Sequence, residues 1–326
     1  MVGSTLRLGL IGCGRAAERL WIPAFRAVEE ARLVVAVDPR AERRALIAGQ
    51  VQGCRQVAAA EDLMTAGTVD ALIIATPAES HFELARRGLE AGIPLLVEKP
   101  LAATLAQTQE LHELRCALGT SLMVGFNRRW WSPAIELRGL RQRNPDPARV
   151  ELVFVTQAAT WNAITGTPDL LDDLSTHQLD LLRFVLGEEI ESVCAHKASM
   201  GEIRMDVQLT HGSSATCRVA HAGFPEESVR VWCGSQRAWI HAKSNRTAPA
   251  DGTLRTALDW GERVWRRING GRSSLLRSFE EELRAFVGVV RNGGQASPGT
   301  GDALAAARAV GAARQSLASD SQWVIP

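Results

Sequence analysis

The first 125 residues alternate between short, continuous apolar runs and stretches with helical periodicity. A strand buried on both faces carries apolar side chains on both, as in a parallel sheet that helices cover on each side. The pattern therefore predicts an α/β fold with a doubly wound parallel sheet. The predicted strands are Leu6–Ile11, Arg32–Val37, Asp70–Thr76, Ile93–Val97 and Ser121–Gly125, and the predicted helices are Ala16–Glu30, Ala41–Gln50, Glu79–Ala91 and Thr104–Leu118.

After about residue 125 the pattern changes, and a second domain is predicted. Ala148–Thr156 has the composition of a strand, and Leu171–Leu186 has the periodicity of an amphipathic helix. In residues 190–242 polar and apolar residues alternate, which is typical of an open, mostly antiparallel sheet with one covered face. The other face is either solvated or paired with another subunit, and we favour pairing. The predicted domains are 1–124 and 125–326.

Composition excludes several partners and sites. The chain has 37 basic and 36 acidic residues, so neither nucleic acid nor another polyelectrolyte is expected as a partner. Six scattered cysteines without metal-ligand spacing predict reduced thiols and no metal site. No apolar segment near residue 1 is long enough for a signal peptide or a membrane span, so a cytoplasmic protein without membrane contact is expected. The absence of tyrosine excludes tyrosine acid–base catalysis.

A glycine-rich loop follows the first predicted strand and opens the first predicted helix. Its sequence at residues 12–17, GCGRAA, fits the G-x-G-x-x-G/A pattern of dinucleotide-binding loops. In such a loop the first glycine allows a tight turn, the second lets the backbone approach a pyrophosphate, and the helix N-terminus binds the phosphates. The predicted cofactor-binding residues of this loop are Gly12, Cys13, Gly14, Arg15 and Ala16.

Asp38 ends the second predicted strand, about twenty positions after the loop. A carboxylate at this place can bond both ribose hydroxyls of NAD, and it would face the 2′-phosphate of NADP. We therefore predict NAD as the cofactor. Arg40, Arg43 and Arg44 lie nearby and can soften this preference, so NADP stays an alternative and Arg40 is counted among the cofactor-binding residues.

One lysine stands out, because the chain has only three lysines among its 37 basic residues. Lys99 lies just past the predicted strand Ile93–Val97. Arginine keeps its proton in proteins, whereas a partly buried lysine can lose it or act as a compact proton donor. Lys99 is therefore a candidate catalytic acid or electrostatic group.

Four stretches of the chain resemble motifs of one oxidoreductase family. Residues 75–81 (ATPAESH) and 91–102 (AGIPLLVEKPLA) match its pattern T-P-x-x-x-H…A-G-x-x-V-x-x-E-K-P-x-A almost position for position. Residues 125–130 (GFNRRW) resemble the motif after its sixth strand, and residues 171–180 (LDDLSTHQLD) resemble its D-x-x-x-H-x-x-D helix. Over nearly its whole length the chain resembles the Gfo/Idh/MocA family, named for glucose-fructose oxidoreductase and inositol dehydrogenase.

The resemblance implies a dinucleotide-binding Rossmann domain over 1–124 and a substrate-binding α/β domain over 125–326. The open sheet of the second domain implies a homodimer or homotetramer. The implied activity is hydride transfer between NAD(P) and a secondary alcohol or ketone of a sugar, cyclitol or sugar-derived metabolite. Three alternatives stay open: NAD-assisted glycoside cleavage, imine or enone reduction, and non-catalytic regulation by cofactor binding.

Position by position, the resemblance assigns catalytic roles to Lys99, Asp173 and His177. His81 is expected to pack beside the cofactor and not to act as a catalyst. Trp161, close before the predicted catalytic helix, is expected to line the nicotinamide or substrate pocket. Further cofactor-contacting positions are Thr76, Pro77, His81, Glu98, Lys99 and Asn127, and the substrate-binding positions are Lys99, Trp161, Asp173 and His177.

Two departures from the family pattern concern the substrate. Residues 167–169 read Thr-Pro-Asp where the family usually has paired glycines, and Ser175 replaces a common glycine. We therefore expect a differently shaped loop at the substrate.

The chemistry of the catalytic residues follows from their side chains. Histidine has an ordinary pKa of about 6.5, so His177 can take or return a proton near neutral pH. On an α-helix Asp173 and His177 share a face, with Asp180 further along it as a structural residue. We predict that His177 is the acid–base group, that Lys99 stabilises an alkoxide or protonates a carbonyl, and that Asp173 orients substrate or histidine. Which of Lys99 and His177 exchanges the proton directly stays open.

Overall fold

The computed structural model describes residues 4–64, 67–156, 169–198, 201–221, 226–233, 236–241 and 274–326. The chain divides into two compact units, Met1–Phe126 with Phe279–Leu304 and Asn127–Ser278 with Ala305–Pro326. The segment Phe279–Leu304 therefore belongs with the N-terminal unit, whereas the predicted domains are continuous. Part of its packing comes from Phe279, whose ring meets the Trp21 ring edge-on with 5.0 Å between centroids.

The sheet of the first unit has six strands, β1 (Leu6–Ile11), β2 (Ala31–Val37), β3 (Arg55–Val57), β4 (Ala71–Ile74), β5 (Leu95–Glu98) and β6 (Leu122–Gly125). They are parallel and lie in the order β3-β2-β1-β4-β5-β6, which confirms the doubly wound sheet. In this order the carboxyl ends of β1 and β4 border the crevice where such folds bind ligands. The short strand β3 was not predicted, because two of its three residues are exposed and polar.

Helical segments connect these strands: a π turn (Ala17–Trp21) that continues into α1 (Ile22–Ala27), then α2 (Ala41–Ala48), α3 (Ala78–Glu90) and α4 (Leu105–Leu118). The first helical segment ends at Ala27 and not near Glu30 as predicted, because Val28 is extended with φ −114° and ψ 94°. The helix α4 begins where predicted, since Thr104 Oγ1 accepts the Gln107 N–H at 3.2 Å and caps it.

The sheet of the second unit contains β7 (Ala148–Thr156), β8 (Ile190–Lys197), β9 (Ile203–Leu209), β10 (Ser214–His221), β11 (Glu226–Cys233) and β12 (Gln236–His241). The order is β12-β11-β7-β10-β9-β8, with β7 and β10 parallel and the other neighbours antiparallel. The prediction of an open, mostly antiparallel sheet is confirmed. Met205 and Val207 on β9 are buried while Arg204 and Gln208 are exposed, as the alternation predicts.

Among the described residues, the remaining helical segments are two 3₁₀ turns (Ala60–Leu63 and Asn127–Trp130), α5 (Ser132–Arg143), a π turn (Leu171–Ser175) that continues into α6 (Thr176–Leu186), α7 (Ser274–Asn292) and α8 (Thr300–Ala318). In the second unit, apolar side chains of α6 pack with one face of the sheet in a single buried cluster. The predicted helix over Leu171–Leu186 is present, and its first turn is a π turn. There the Thr176 N–H bonds to the Leu171 carbonyl five residues earlier.

Three further findings bear on composition-based predictions. Within the described ranges no helix is both long and apolar enough to cross a membrane. In the same part of the chain, no group of three or more His, Cys, Asp or Glu side chains is placed to hold a metal ion. All six cysteines are free thiols, and those at 13, 194, 217 and 233 are buried.

Candidate active site

The loop after β1 is crowded at its first glycine, Gly12, and open at its second, Gly14. Gly12 has φ +95°, and a Cβ there would lie 2.5 Å from the Ala75 carbonyl oxygen. A Cβ on Gly14 would meet nothing within 4 Å. Helical structure runs unbroken from Arg15 to Ala27, and the first N–H groups of a helix have no partner within it. These residues fit a dinucleotide pyrophosphate, because the backbone turns tightly at Gly12 and is accessible at Gly14.

Gly12→Ala is expected to lower the free energy of unfolding by about 1–3 kcal/mol, since a side chain at this φ is strained and its Cβ collides with backbone. It is also expected to weaken NAD binding about tenfold or more, because the displaced turn carries the phosphate-facing N–H groups. Calorimetric melting and NAD titration measure the two effects. Gly14→Ala is the matched control, which should weaken NAD binding without lowering the melting temperature. Equal melting temperatures for both variants would contradict this account of the loop.

Asp38, at the carboxyl end of β2, is 4% exposed and accepts hydrogen bonds on both carboxylate oxygens. Oδ2 accepts the Cys13 N–H at 3.0 Å and Arg40 Nη2 at 3.2 Å, while Oδ1 accepts the Arg40 backbone N–H and Nε, each at 3.0 Å. Burial alone would favour the neutral acid, but the bonds from Arg40 and Cys13 outweigh it and lower the pKa of Asp38. A ribose bound here would meet a charged carboxylate already shared with a guanidinium.

Two further arginines border Asp38. Arg44 Nη1 donates to the carbonyl oxygens of Asp38 at 2.6 Å and Pro39 at 3.0 Å. Arg43 Nε donates to the Cys13 carbonyl at 2.7 Å. The Cys13 thiol itself is inert, because burial, and then the Asp38 charge, raise its pKa to about 12. The ribose end of the loop is thus rich in fixed positive charge.

Lys99 directly follows Glu98, the last residue of β5, and neighbouring residues hold the Glu98 side chain in place. Trp21 Nε1 donates to Glu98 Oε1 at 3.0 Å. A Cβ on Gly125 of the neighbouring strand would lie 2.9 Å from Glu98 Oε2, so a side chain there would displace the carboxylate. Lys99 is partly buried. The anchored Glu98 therefore fixes where the lysine leaves the sheet.

On the other side of Lys99, His81 holds Pro100. His81 Nδ1 lies 2.7 Å from the Pro100 carbonyl oxygen, and Nε2 lies 2.8 Å from that of Thr76. Burial lowers the pKa of His81, although both carbonyls favour the protonated ring. Both nitrogens are used within the protein, so His81 positions the loops after β4 and β5. Its predicted place beside the cofactor stays a prediction.

Arg128 contacts two candidate site residues of the second unit, Asn127 and His177. Its Nη1 donates to Asn127 Oδ1 at 2.9 Å and lies 3.2 Å from His177 Nε2. Its Nη2 donates to Glu227 Oε1 at 2.6 Å. Because a guanidinium only donates, Nε2 accepts here, and the neutral His177 ring carries its proton on Nδ1. Asn127 Nδ2 donates to Ser278 Oγ at 2.8 Å, so both ends of this amide are used within the second unit.

Three polar residues, Thr156, His221 and Glu227, lie at one end of the core-facing side of the second sheet. Glu227 pairs across the strands with Phe154, and Thr156 pairs with His221. Thr156 Oγ1 lies 3.2 Å from His221 Nδ1. Sequence analysis missed Arg128 as well as these three residues. Arg128 stands in the motif at residues 125–130, whereas the other three required the strand register.

Asp173 lies on the π turn before α6. Its N–H bonds to the Asp169 carbonyl at 2.9 Å, and Asp169 Oδ1 caps the turn by accepting the Leu171 N–H at 2.8 Å. The π turn changes the hydrogen-bond step here from four residues to five, and the common face of Asp173 and His177 stays a prediction. Ser175, between them, is fully buried. The aspartate of the unusual Thr-Pro-Asp sequence thus shapes the start of the helical segment that carries Asp173 and His177.

The predicted site residues belong to both units. Asn127, Asp173 and His177 belong to the second unit. Trp161, Thr167 and Pro168 lie outside the described residues. The predicted site residues of the first unit lie at or after the carboxyl ends of its parallel strands. They are Gly12, Cys13, Gly14, Arg15, Ala16, Asp38, Arg40, Thr76, Pro77, His81, Glu98 and Lys99.

Comparison with known proteins gives a consistent result. A family model described as "Oxidoreductase family, NAD-binding Rossmann fold" matches residues 6–126. The inositol 2-dehydrogenase of Rhizobium meliloti (strain 1021) is 26% identical, and the match covers 98% of each chain. The D-apiose dehydrogenase of Paraburkholderia graminis is 29% identical over 88% of this chain and 80% of its own. A solved scyllo-inositol dehydrogenase from Lactobacillus casei, with bound NAD(H) and scyllo-inositol, superposes with a TM-score of 0.80 at 17% identity over 99% of both chains.

Proposed function

Residues 6–126 match the family model of the Gfo/Idh/MocA NAD-binding oxidoreductases, and we propose that the chain belongs to this family and transfers a hydride between the nicotinamide and a secondary alcohol or ketone of a cyclitol or sugar. The dinucleotide loop with the ionised Asp38 at its ribose end carries this proposal. Cyclitols and sugars are favoured as substrates because relatives that match most of the chain are named for inositol and apiose.

In the proposed oxidation, NAD supplies the hydride acceptor. His177 removes the hydroxyl proton through Nε2, where the substrate hydroxyl replaces the Arg128 N–H as the hydrogen-bond donor. Lys99 stabilises the developing negative charge on the oxygen, or protonates the carbonyl in the reverse direction. Asp173 orients the substrate or the histidine. The proposed role of Lys99 is supported by the anchored residues on either side of it, Glu98 and Pro100, because a positioned charge needs no rearrangement during the reaction.

The test is a panel of inositols and sugars, including myo-inositol, scyllo-inositol and D-apiose, incubated with NAD while the absorbance of the reduced nicotinamide is followed. We expect reduction of NAD with at least one cyclitol or sugar. NAD binding in titration calorimetry without turnover of any member would contradict the proposal. Release of a sugar from a glycoside without net reduction of NAD would replace it with NAD-assisted glycoside cleavage.

Arg40→Ala is expected to weaken NADP binding about tenfold while leaving NAD affinity unchanged or higher. The variant removes a guanidinium suited to a 2′-phosphate, worth about 1.5 kcal/mol, and it removes one side-chain donor from each Asp38 oxygen, which ribose hydroxyls can replace. Titration calorimetry with each dinucleotide measures the ratio. Arg55→Ala, an equal loss of charge from an exposed position on β3, is the control and should leave the ratio unchanged. A parallel loss of both affinities in Arg40→Ala would show that Arg40 does not discriminate.

A further inference from the structure

We propose that Glu227 is a positioning residue for proton exchange at His177. It holds the Arg128 guanidinium against the histidine and offsets the charge of that guanidinium. The inference rests on the proposed role of His177 as acid–base group. It assigns a second requirement to that role, a carboxylate on a different element of the second unit.

Glu227 is an unusual residue for its place in the sheet. Alternate residues of β11 face the core, where Val229 and Val231 are 1% and 2% exposed. Glu227 continues this row at the end of the strand, opposite the buried Phe154. A carboxylate on a core-facing row costs free energy unless it is paired. Its partner is Arg128, at 2.6 Å, and the two side chains are 19% and 13% exposed.

The pairing fixes the position of the guanidinium. The Arg128 guanidinium carbon lies 5.5 Å from the centre of the Trp131 ring and 6.0 Å from that of Phe154. Its two terminal nitrogens divide the polar contacts, with Nη1 near Asn127 and His177 and Nη2 on Glu227. Because Glu227 binds Nη2 of Arg128, it directs Nη1 to the histidine.

This geometry has a direct effect on proton exchange. A fixed cation 3.2 Å from Nε2 disfavours a second proton on the His177 ring. The Glu227 carboxylate, on the opposite side of the same guanidinium, opposes this effect. With the pair intact, His177 meets a nearly neutral neighbour, so its ring takes up a proton more readily than it would beside the guanidinium alone. Without Glu227, the ring faces an uncompensated cation.

Other charged groups on the elements around α6 are largely compensated among the described residues. Asp173 on the π turn and His221 on β10 are further titratable side chains near this end of the unit, and both are intact in every variant compared below. The compensated groups form the ion pairs Arg129–Asp180, Arg141–Glu188, Arg218–Glu202, Arg230–Glu151 and Arg314–Asp172. The guanidinium groups of Arg138 and Arg149 lie over the rings of Phe184 and Trp232, respectively. The other charged residues of α5 are Glu136 and Arg143.

The test is an NMR titration of the His177 ring in the full chain, with its signal identified by its loss in His177→Asn. In Glu227→Gln we expect the titration midpoint to fall by about one pH unit, since the guanidinium loses its counter-charge. The acid limb of the pH dependence of kcat/KM should move in the same direction. Glu227→Asp, which retains the charge, should keep most of the wild-type midpoint. The double variant Glu227→Gln/Arg128→Met removes both charges and should restore it.

Glu151→Gln is the matched control, because it breaks an Arg–Glu pair of 2.9 Å in the same sheet but on the opposite face. It should leave the His177 midpoint unchanged. An unchanged midpoint in Glu227→Gln, or an equal fall in Glu151→Gln, overturns the inference. A lowered midpoint with an unmoved activity profile would support the pairing and contradict the acid–base role of His177, so the two failures are distinguishable.

Discussion

His177→Asn is expected to lower kcat by a factor of about 10² to 10⁴, because a positioned acid–base group contributes an effect of this size. Asparagine retains a polar side chain that can face Arg128, but it cannot exchange a proton near neutral pH. Lys99→Met, which keeps the apolar stem and removes the ammonium, is expected to lower kcat by about 10² to 10³ through loss of charge stabilisation. Steady-state kinetics with the best substrate of the panel measures both effects.

Affinity for NAD separates a catalytic effect from a damaged fold. Titration calorimetry should give a nearly unchanged Kd for His177→Asn, since the dinucleotide loop belongs to the first unit. His112→Asn is the matched control, because this histidine bonds Thr300 at 2.9 Å within the first unit and has no proposed role in the reaction. A kcat of His177→Asn close to that of His112→Asn would contradict the assignment.

Asp180→Ala is expected to lower the free energy of unfolding by about 3–5 kcal/mol, because it removes the carboxylate that pairs with the buried Arg129 guanidinium. The two carboxylate oxygens of Asp180 accept Arg129 Nε at 2.9 Å and Nη2 at 2.5 Å. The side chains are 7% and 1% exposed, so water cannot replace the lost partner. The guanidinium also lies over the Phe184 ring at 5.4 Å, which holds it in place. Urea denaturation followed by circular dichroism measures the loss.

Two variants show whether pairing or simple burial accounts for this loss. Arg129→Met/Asp180→Leu removes both charges and should recover most of the stability, because an apolar pair of similar volume replaces a buried ion pair at little cost. Glu189→Ala breaks a pair whose carboxylate is 63% exposed, and it should cost less than about 1 kcal/mol. Similar losses for Asp180→Ala and Glu189→Ala would refute a structural role for the buried pair.

The parallel sheet could be predicted because its strands are buried on both faces, which gives continuous apolar runs such as Leu8–Ile11. The edge strand β3 escaped prediction because only Val57 of its three residues is buried. The π turns at Ala17–Trp21 and Leu171–Ser175 escaped for a different reason. They change the hydrogen-bond step by one residue but leave the apolar spacing of the sequence nearly unaltered.

The first half of the candidate site was predictable because its residues follow strand ends in sequence order. Gly12, Asp38 and Lys99 each end or follow a strand of one parallel sheet, so the topology brings them to one edge. Glu227 was not predictable, since its contact with Arg128 depends on the register of β11 against β7. The predicted homodimer or homotetramer stays a prediction, as do the catalytic roles.

A crystal structure of the full chain with NADH and an inositol bound tests most directly whether Lys99 and His177 act on the same atom. We expect Lys99 Nζ and His177 Nε2 to lie within about 3.2 Å of a single inositol oxygen. The carbon bearing that oxygen should lie about 3–3.5 Å from C4 of the nicotinamide. Contacts of the two side chains with different inositol oxygens, or an inositol carbon out of reach of C4, would contradict this expectation.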